Sequence, residues 1–586
     1  MSTTPRSYSR KVIRPEMTVR QIAVDFPASE VVFRNYGEPN RHPSRFGHLE
    51  PLTHFARRRG ISLDAILNEL VIATGARIDM HARRAERVHH GFLFAALLIT
   101  ITLGAGWGVW LLLRIGRTAA FDSVSAAHVI AHGEAQLWGF IVLFIIGVSL
   151  RTVLQPAARH RFGVWSCRGL LTLALAGICG SFLWYTFPQS LRPLGMVSAG
   201  CLCLMSAGYV ILQVACLRTK WLAMWSRAVL VSGLWLLAWA IVTMYLRSQA
   251  GLLGPGSYTM PQRLLLIELA VFGFAMNSIY GFGQMLLPGL LRIGSTRIWA
   301  IVVSHWTHNV GLLILILGIG LQWTGRITAV GCALVAAGAI LFAVGHRGFV
   351  GRRRTTKREE QGAWPLDLFA PLAFFWLVTS LLLMTGGLLY EASTNHPLPH
   401  AYMGAVRHAL TVGFMTTLIL GVGQRLLPVL DRTVLAVPRL VVPILVLIGT
   451  GNLLRVDTEL AILATPGAFA VMPFSGLLEW LAIALFALGA IKTMVHTDSL
   501  LKCGHVAKRS SIAVLLAEYP WIEDRLLTGG TGYLQRARSV PCELTIGSFA
   551  VSEGYDADQF VFQINTWLDE KQAGPQHRQW PSMSPA

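Results

Sequence analysis

Uninterrupted apolar stretches of about 20 residues recur along most of this chain, and no other feature constrains its fold as strongly. A helix of that length crosses the ~30 Å hydrocarbon core of a bilayer, where every backbone N–H and C=O must be paired internally. Composition agrees, since 53% of the 586 residues are hydrophobic and only 14% are charged. The sequence therefore predicts an all-α protein that crosses a membrane many times.

Polar and basic connections separate twelve such stretches within a membrane domain at 85–498. The predicted spans are 91–114, 125–150, 165–187, 193–216, 226–246, 264–290, 297–322, 327–348, 365–390, 398–428, 436–456 and 470–495. The polar residues before the first span are patterned like a folded domain and not like a cleavable signal peptide. We expect small helical domains at 1–76 and 507–570, and a disordered tail at 571–586.

Basic residues orient the predicted bundle. One set of alternate loops carries 18 Lys or Arg residues and the opposite set carries seven. Because cytoplasmic loops hold the excess of positive charge, both termini and both small domains are expected in the cytoplasm. The net charge of +20 is then explained by topology and by attraction to anionic membrane lipid, so no nucleic-acid partner is inferred.

An internal repeat relates the second, sixth and tenth spans. They read "GFIVLFIIGVSLRTVLQP" from Gly139, "GFAMNSIYGFGQMLLPG" from Gly273 and "GFMTTLILGVGQRLLPV" from Gly413. Each copy has a Gly-Phe pair, a second Gly eight positions after the first, and a proline near the end of the span. Copies four spans apart predict three four-helix units.

The repeat contains one ionisable position, five residues before the first glycine. Glu134, Glu268 and His408 occupy it. His132 precedes Glu134 by two residues, and His128 lies one helical turn from His132 on the same face. Ionisable groups inside a span are costly, so we treat these residues as a candidate functional site.

The seventh span adds a pair of histidines in "SHWTH", where His305 and His308 are three residues apart. Residues at this spacing share one helix face, as metal ligands or paired polar groups would.

Twelve helices in three four-helix arcs, with histidines on the second, seventh and tenth, resemble the subunit I fold of haem–copper oxidases. The histidines before Gly-Phe and the stretch "RHALTVG" from Arg407 look more closely like the NnrS family, over roughly residues 85–500. That resemblance implies a haem- and copper-containing membrane protein linked to nitric oxide stress in bacteria. A catalytic oxidase would also carry histidines at position 406 and on the sixth span, and this chain has neither.

The resemblance suggests roles for the ionisable residues. His132 and His408 are the candidate axial ligands of a haem, expected to be b-type, with His128 as an alternative. His305 and His308 are candidate copper ligands, and His132 and His408 also count as metal ligands through the haem iron. Glu134 and Glu268 are candidates for proton handling in catalysis, or for hydrogen bonds that orient an imidazole. Each histidine could instead make an ordinary polar contact in the core.

The two flanks form a second repeat, in which residues 18–70 align with 511–568. Each copy has helices joined by a turn, and Ser62 or Asp64, and Asp556 or Asp558, are N-cap candidates for the last helix. They resemble the small N-terminal domain of iron–sulfur cluster repair proteins. This predicts a docking module for a cytoplasmic protein partner, with metal binding by His42, His48 and His54 as an alternative.

Three hypotheses stay open at this stage. The chain is a haem-binding protein of nitric oxide defence, a nitric oxide or oxygen reductase with an altered metal centre, or a transporter that moves ions or protons through the buried Glu and His residues.

Overall fold

In the residues that it describes, the computed structural model consists of helices and connecting turns apart from two strands of two residues each. It describes residues 12–13, 17, 19–36, 52, 55–56, 63–74, 77–78, 80–159, 163–187, 191–250, 258–290, 296–322, 325–346, 366–431, 435–495, 506, 512, 515–516, 520–528 and 544–572. The chain divides into two compact units. One contains Ala85–Leu427 and Val437–Lys492, and the other contains Met1–Arg84, Pro428–Ala436 and Thr493–Ala586.

Twelve helices of the described chain are long and apolar enough to cross a membrane, which confirms the all-α membrane fold and the predicted number of spans. In order, spans one to twelve are Arg87–Thr118, Ala126–Thr152, Gly163–Thr186, Pro193–Leu217, Met224–Ala250, Met260–Leu287, Ile298–Gly320, Gly325–Gly345, Phe369–Thr394, His400–Pro428, Pro438–Ala461 and Pro466–Val495. Spans five and eleven run past their predicted ends. Arg247, which the predicted span 226–246 leaves in an outer loop, therefore lies inside a helix, and Arg455 lies well inside span eleven.

Local sequence explains where the repeated spans begin. The Ser125 side chain accepts a hydrogen bond from the backbone N–H of His128 at 3.2 Å and starts span two. Thr259 and Gln262 form a capping box at the start of span six. Such caps satisfy N–H groups that have no partner within the helix.

A π-helical segment interrupts each of the three repeated spans at the same place. These segments are Ala135–Val142, Leu269–Ala275 and Ala409–Thr416, and each contains the Gly-Phe pair of its copy. Each begins directly after the ionisable residue of the repeat, which is Glu134, Glu268 or His408. Such π-helical turns are rare and are frequently found at functional sites.

The repeated glycines pack against the span that precedes them. The first glycine lies against Ile99 of span one, Trp235 of span five or Trp376 of span nine, and Gly413 also lies against Asn452 of span eleven. A Cβ atom on Gly413 would lie 2.6 Å from Cγ of Trp376, so no larger residue fits without movement. The second glycines face the same three spans. Close packing against the preceding span therefore explains the eight-residue spacing of the glycines. The same contact recurs every four spans. The grouping of the helices into arcs stays a prediction.

The described parts of the two flanking segments have hydrophobic cores of their own. In the first, helices Val19–Asp25, Ser29–Asn35 and Leu63–Thr74 bury residues such as Phe33 and Phe55, whose rings meet edge to face. Strands Val12–Ile13 and Arg77–Ile78 pair in parallel there, a contact that the helical pattern does not predict.

The second flanking segment contains helices Pro520–Thr528, Ile546–Glu553 and Ala557–Gln572. Asp556 caps the last of these, because its Oδ1 accepts hydrogen bonds from the backbone N–H groups of Asp558 and Gln559, both at 2.9 Å. Of the two N-cap candidates there, the structure selects Asp556. His42, His48, His54 and the predicted tail from residue 573 onward lie outside the described residues.

Candidate functional site

The imidazole of His132 faces span one, whose backbone is shaped around it. Its Nδ1 lies 3.0 Å from the carbonyl oxygen of Gly104. The π-helical segment Thr100–Gly104 ends at this residue, and the ψ of −108° at Gly104 departs from helical geometry. Its carbonyl group therefore points away from the direction of the regular helical hydrogen bonds. One turn later, a Cβ on Gly108 would lie 2.7 Å from Cε1 of the ring, so only glycine leaves room for the imidazole.

His408 has a similar arrangement on span ten. Its Nδ1 lies 3.0 Å from the carbonyl oxygen of Gly404, one turn earlier in the same helix, and 3.2 Å from Oε2 of Glu459 on span eleven. The His408 side chain is 24% exposed whereas that of Glu459 is 3% exposed, so the imidazole borders open space that the carboxylate does not reach.

These two imidazoles share one hydrogen-bonding pattern. A carbonyl oxygen can only accept, so in a neutral ring Nδ1 carries the proton and donates it, which leaves the lone pair on Nε2. Within the described residues, no group forms a hydrogen bond with Nε2 of either ring. The two side chains also lie within electrostatic range of each other. Metal-ligating histidines are commonly oriented in this way, through a hydrogen bond from the other ring nitrogen.

A buried charged cluster surrounds His408. Arg455 donates from Nη2 to Oε1 of Glu459 at 2.9 Å, one turn apart on span eleven, and both side chains are almost completely buried. Arg407 and Glu479, from spans ten and twelve, lie within electrostatic range of Glu459.

Several polar atoms of this cluster have no partner among the described residues. They are Nε and Nη1 of Arg455, Oε2 of Glu459, Oε1 of Glu479 and both side-chain polar atoms of Asn452. Oε2 of Glu459 is close to His408, but the His408 Nδ1–H bonds to Gly404 instead. Buried groups without hydrogen bonds are costly. The cluster therefore offers donors and acceptors beside His408 that the protein itself does not use.

Glu134 is held in an ion pair that ties four spans together. Arg247 of span five donates from Nη2 to Oε2 of Glu134 at 2.6 Å, and Tyr185 of span three donates to Oε1 at 2.6 Å. Arg247 also donates from Nη1 to Ser198 Oγ at 2.7 Å and to the Gly195 carbonyl at 3.2 Å, both on span four. Its guanidinium lies 5.2 Å and 5.4 Å from the ring centres of Trp184 and Tyr185. Both carboxylate oxygens are thus engaged away from His132.

Glu268 occupies the same repeat position in span six but has a different environment. Its side chain is buried, and Oε2 has no hydrogen-bond partner in the described part of the chain. The thiol of Cys332 on span eight lies within electrostatic range of it.

His305 and His308 belong to a hydrogen-bonded network between spans six and seven. His308 Nδ1 lies 3.1 Å from the Tyr280 hydroxyl, and its Nε2 lies 2.9 Å from the Phe272 carbonyl, which the π-helical segment of span six exposes. His305 contacts Asn309, which bonds in turn to Asn277. Both nitrogens of His308 are therefore in use. No group of three or more His, Cys, Asp or Glu residues in the described ranges is arranged to hold a metal ion.

His128 shares the span-one-facing side of its helix with His132, as its spacing predicts. Its ring lies 5.6 Å and 6.0 Å from the ring centres of Trp107 and Trp110. The residues singled out from the sequence thus lie in several distinct places. Nε2 of His132 and Nε2 of His408 have no hydrogen-bond partner among the described residues, and the two side chains lie within electrostatic range of each other.

Comparison of the sequence with protein-family models and with curated proteins found no match.

Sequence reasoning missed most of the charged partners of these residues. Arg247, Arg455, Glu459 and Glu479 all lie in spans, and none of them falls in the Gly-Phe motif. One signal was available, because Arg455 and Glu459 are four residues apart in an apolar helix, the spacing of an ion pair.

Proposed function

We propose that this chain is a haem-binding integral membrane protein of the NnrS type that acts in the response to nitric oxide or nitrosative stress. The observation that carries the proposal is the matched pair of imidazoles, His132 and His408, each held through Nδ1 by a backbone carbonyl and each with Nε2 free. Imidazoles from two helices are a common pair of axial ligands for a haem buried in a bilayer.

The residues present fit such a group. His132 and His408 would be the axial ligands, and the arginines Arg407 and Arg455 would balance the charge of the propionates. Support comes from the buried Nε and Nη1 of Arg455, which have no partner in the described chain. The sequence has no C-x-x-C-H motif for covalent attachment, so the proposed haem is b-type.

The protein's own contribution is to hold the ligands and to exclude water. Gly104 and Gly404 fix the tautomer, and Glu459 favours a proton on Nδ1 of His408, which makes that imidazole a stronger electron donor. When bound, haem supplies an iron that exchanges one electron and that binds a diatomic gas if an axial ligand leaves.

Copper is not part of the proposal, because both nitrogens of His308 are hydrogen-bonded. A catalytic reductase of the haem–copper type would need a second metal beside the haem, whereas both nitrogens of His308 are already hydrogen-bonded. The transporter alternative is less favoured because both oxygens of Glu134, one of the two carboxylates of the repeat, are held by Arg247 and Tyr185. A sensor or carrier of a diatomic gas is therefore the form of the proposal that we favour.

The proposed location is the inner membrane of a bacterium, with both termini in the cytoplasm. The excess of basic residues in one set of loops supports this orientation. The two flanking domains would then face the cytoplasm, where they can dock a protein partner.

Absorption spectra of purified variants test the proposal. His132→Ala and His408→Ala should each lose most of the haem or convert a low-spin spectrum to a high-spin one. His128→Ala is the matched control, since it lies one turn away on the same helix against Trp107 and Trp110 and should keep the wild-type spectrum. Wild-type protein without haem, or unchanged spectra of both ligand variants, would refute the proposal.

A further inference from the structure

A cavity of about 100 Å³, open on one side, lies where spans two, six and ten meet. All three copies of the repeat line it with the same four positions, which are two, five, six and nine residues after the first glycine. The residue six positions after this glycine is isoleucine in every copy, as Ile145, Ile279 and Ile419. The cavity is thus a product of the repeat, on the C-terminal side of the three π-helical segments.

Two small side chains in span six, the second copy of the repeat, create this cavity. At the position two residues after the glycine, span six has Ala275 where the others have Ile141 and Met415. At the position five residues after it, span six has Ser278 where the others have Phe144 and Leu418. Protein interiors are normally packed without voids larger than a water molecule. Two small side chains in one copy therefore leave a void that the residues of the other copies would fill.

The lining determines what this void can hold. It is almost entirely apolar, and the Oγ atom of Ser278 has no hydrogen-bond partner among the described residues. A buried water needs two to four polar partners, whereas apolar cavities stay dry and bind apolar solutes. An engineered, enclosed cavity of about 150 Å³ accepts benzene or xenon, so the space here is large enough for one compact apolar molecule.

We infer that this cavity is a binding site for a single uncharged, apolar molecule no larger than benzene. The inference rests on the shape and lining of the cavity, and it does not depend on the proposed haem.

Crystals of the full-length protein pressurised with xenon test it by anomalous scattering. Wild-type protein should show a xenon atom among Ile145, Ile279 and Ile419. Ser278→Leu places in span six the residue that span ten has at this position, and it should abolish the peak. Ser278→Ala is the matched control, because it removes the hydroxyl but keeps the space, and it should retain xenon.

Ala275→Met, which places in span six the residue that span ten has as Met415, is a second filling variant in case Ser278→Leu does not fold. The inference is wrong if wild-type protein shows no xenon there, if lipid or detergent fills the space, or if a folded filling variant keeps the peak. Because xenon binding needs no iron, haem-free protein should give the same result, which separates this test from that of the proposed function.

Discussion

Removing the charge of Glu134 should destabilise the protein strongly, because its partner Arg247 is completely buried. The Arg247 side chain is 0% exposed and that of Glu134 is 13% exposed. Breaking a buried ion pair by removing one partner costs about 3–5 kcal/mol, since the other charge stays buried without compensation. In Glu134→Gln the amide still accepts from Tyr185, so we expect a loss near the lower limit, about 3 kcal/mol.

The reverse variant, Arg247→Met, should cost less. The carboxylate that it leaves is partly exposed, keeps the Tyr185 hydrogen bond and can take up a proton. The double variant should be no less stable than the worse single variant, because it contains no unpaired charge. We therefore expect a coupling free energy of about 2 kcal/mol between the two residues.

Unfolding free energies from denaturant titration in mixed micelles measure these effects. Glu268→Gln is the matched control, because Glu268 occupies the same repeat position but has no ion pair in the described structure, so this variant should not leave a buried charge without its partner and should not destabilise the protein. At temperatures where the variants stay folded, Glu134→Gln should also keep its haem. A Glu134→Gln protein as stable as wild type, or additive effects in the double variant, would refute the argument that this pair clamps the bundle.

Two further predictions concern topology and helix packing. Reporter fusions after Arg358 should report cytoplasm and fusions within 391–397 should report the opposite side, because the basic loops stay inside; the reverse pattern would overturn the proposed orientation. Gly413→Ala should lower the unfolding free energy by about 1–3 kcal/mol, because the added Cβ would lie 2.6 Å from Trp376. Gly386→Ala is the control and should not lower it, because no atom lies within 4 Å of the added Cβ; equal effects of the two substitutions would contradict the packing account.

The spans could be predicted because their physical requirement is local. A bilayer demands about 20 apolar residues in a row, and this signal is visible in each stretch alone. The repeat was also visible, since Gly139, Gly273 and Gly413 recur at a fixed spacing in the sequence. Their contacts with Ile99, Trp235 and Trp376 give that spacing its cause.

The candidate site could be predicted only in part, because its partners come from distant spans. Glu134 and Arg247 are 113 residues apart, and nothing in either local sequence indicates that they meet. The π-helical segments were equally hidden, since no residue type requires them. His132 and His408 stood out in sequence because an ionisable residue in an apolar span is rare, but the carbonyls that orient them depend on backbone geometry.

The three π-helical segments also set the rotational phase of the helices that contain them. Each residue of an α-helix advances the chain by 100° and 1.5 Å, so the extra residue of a π-turn offsets one half of a span against the other by about that amount. Deleting one residue from Ala409–Thr416 would return span ten to a regular helix and would turn His408 away from Glu459 by about a quarter of a revolution. A single-residue deletion there would thus change the direction of the side chains in the half of span ten that contains His408, relative to the other half of the span.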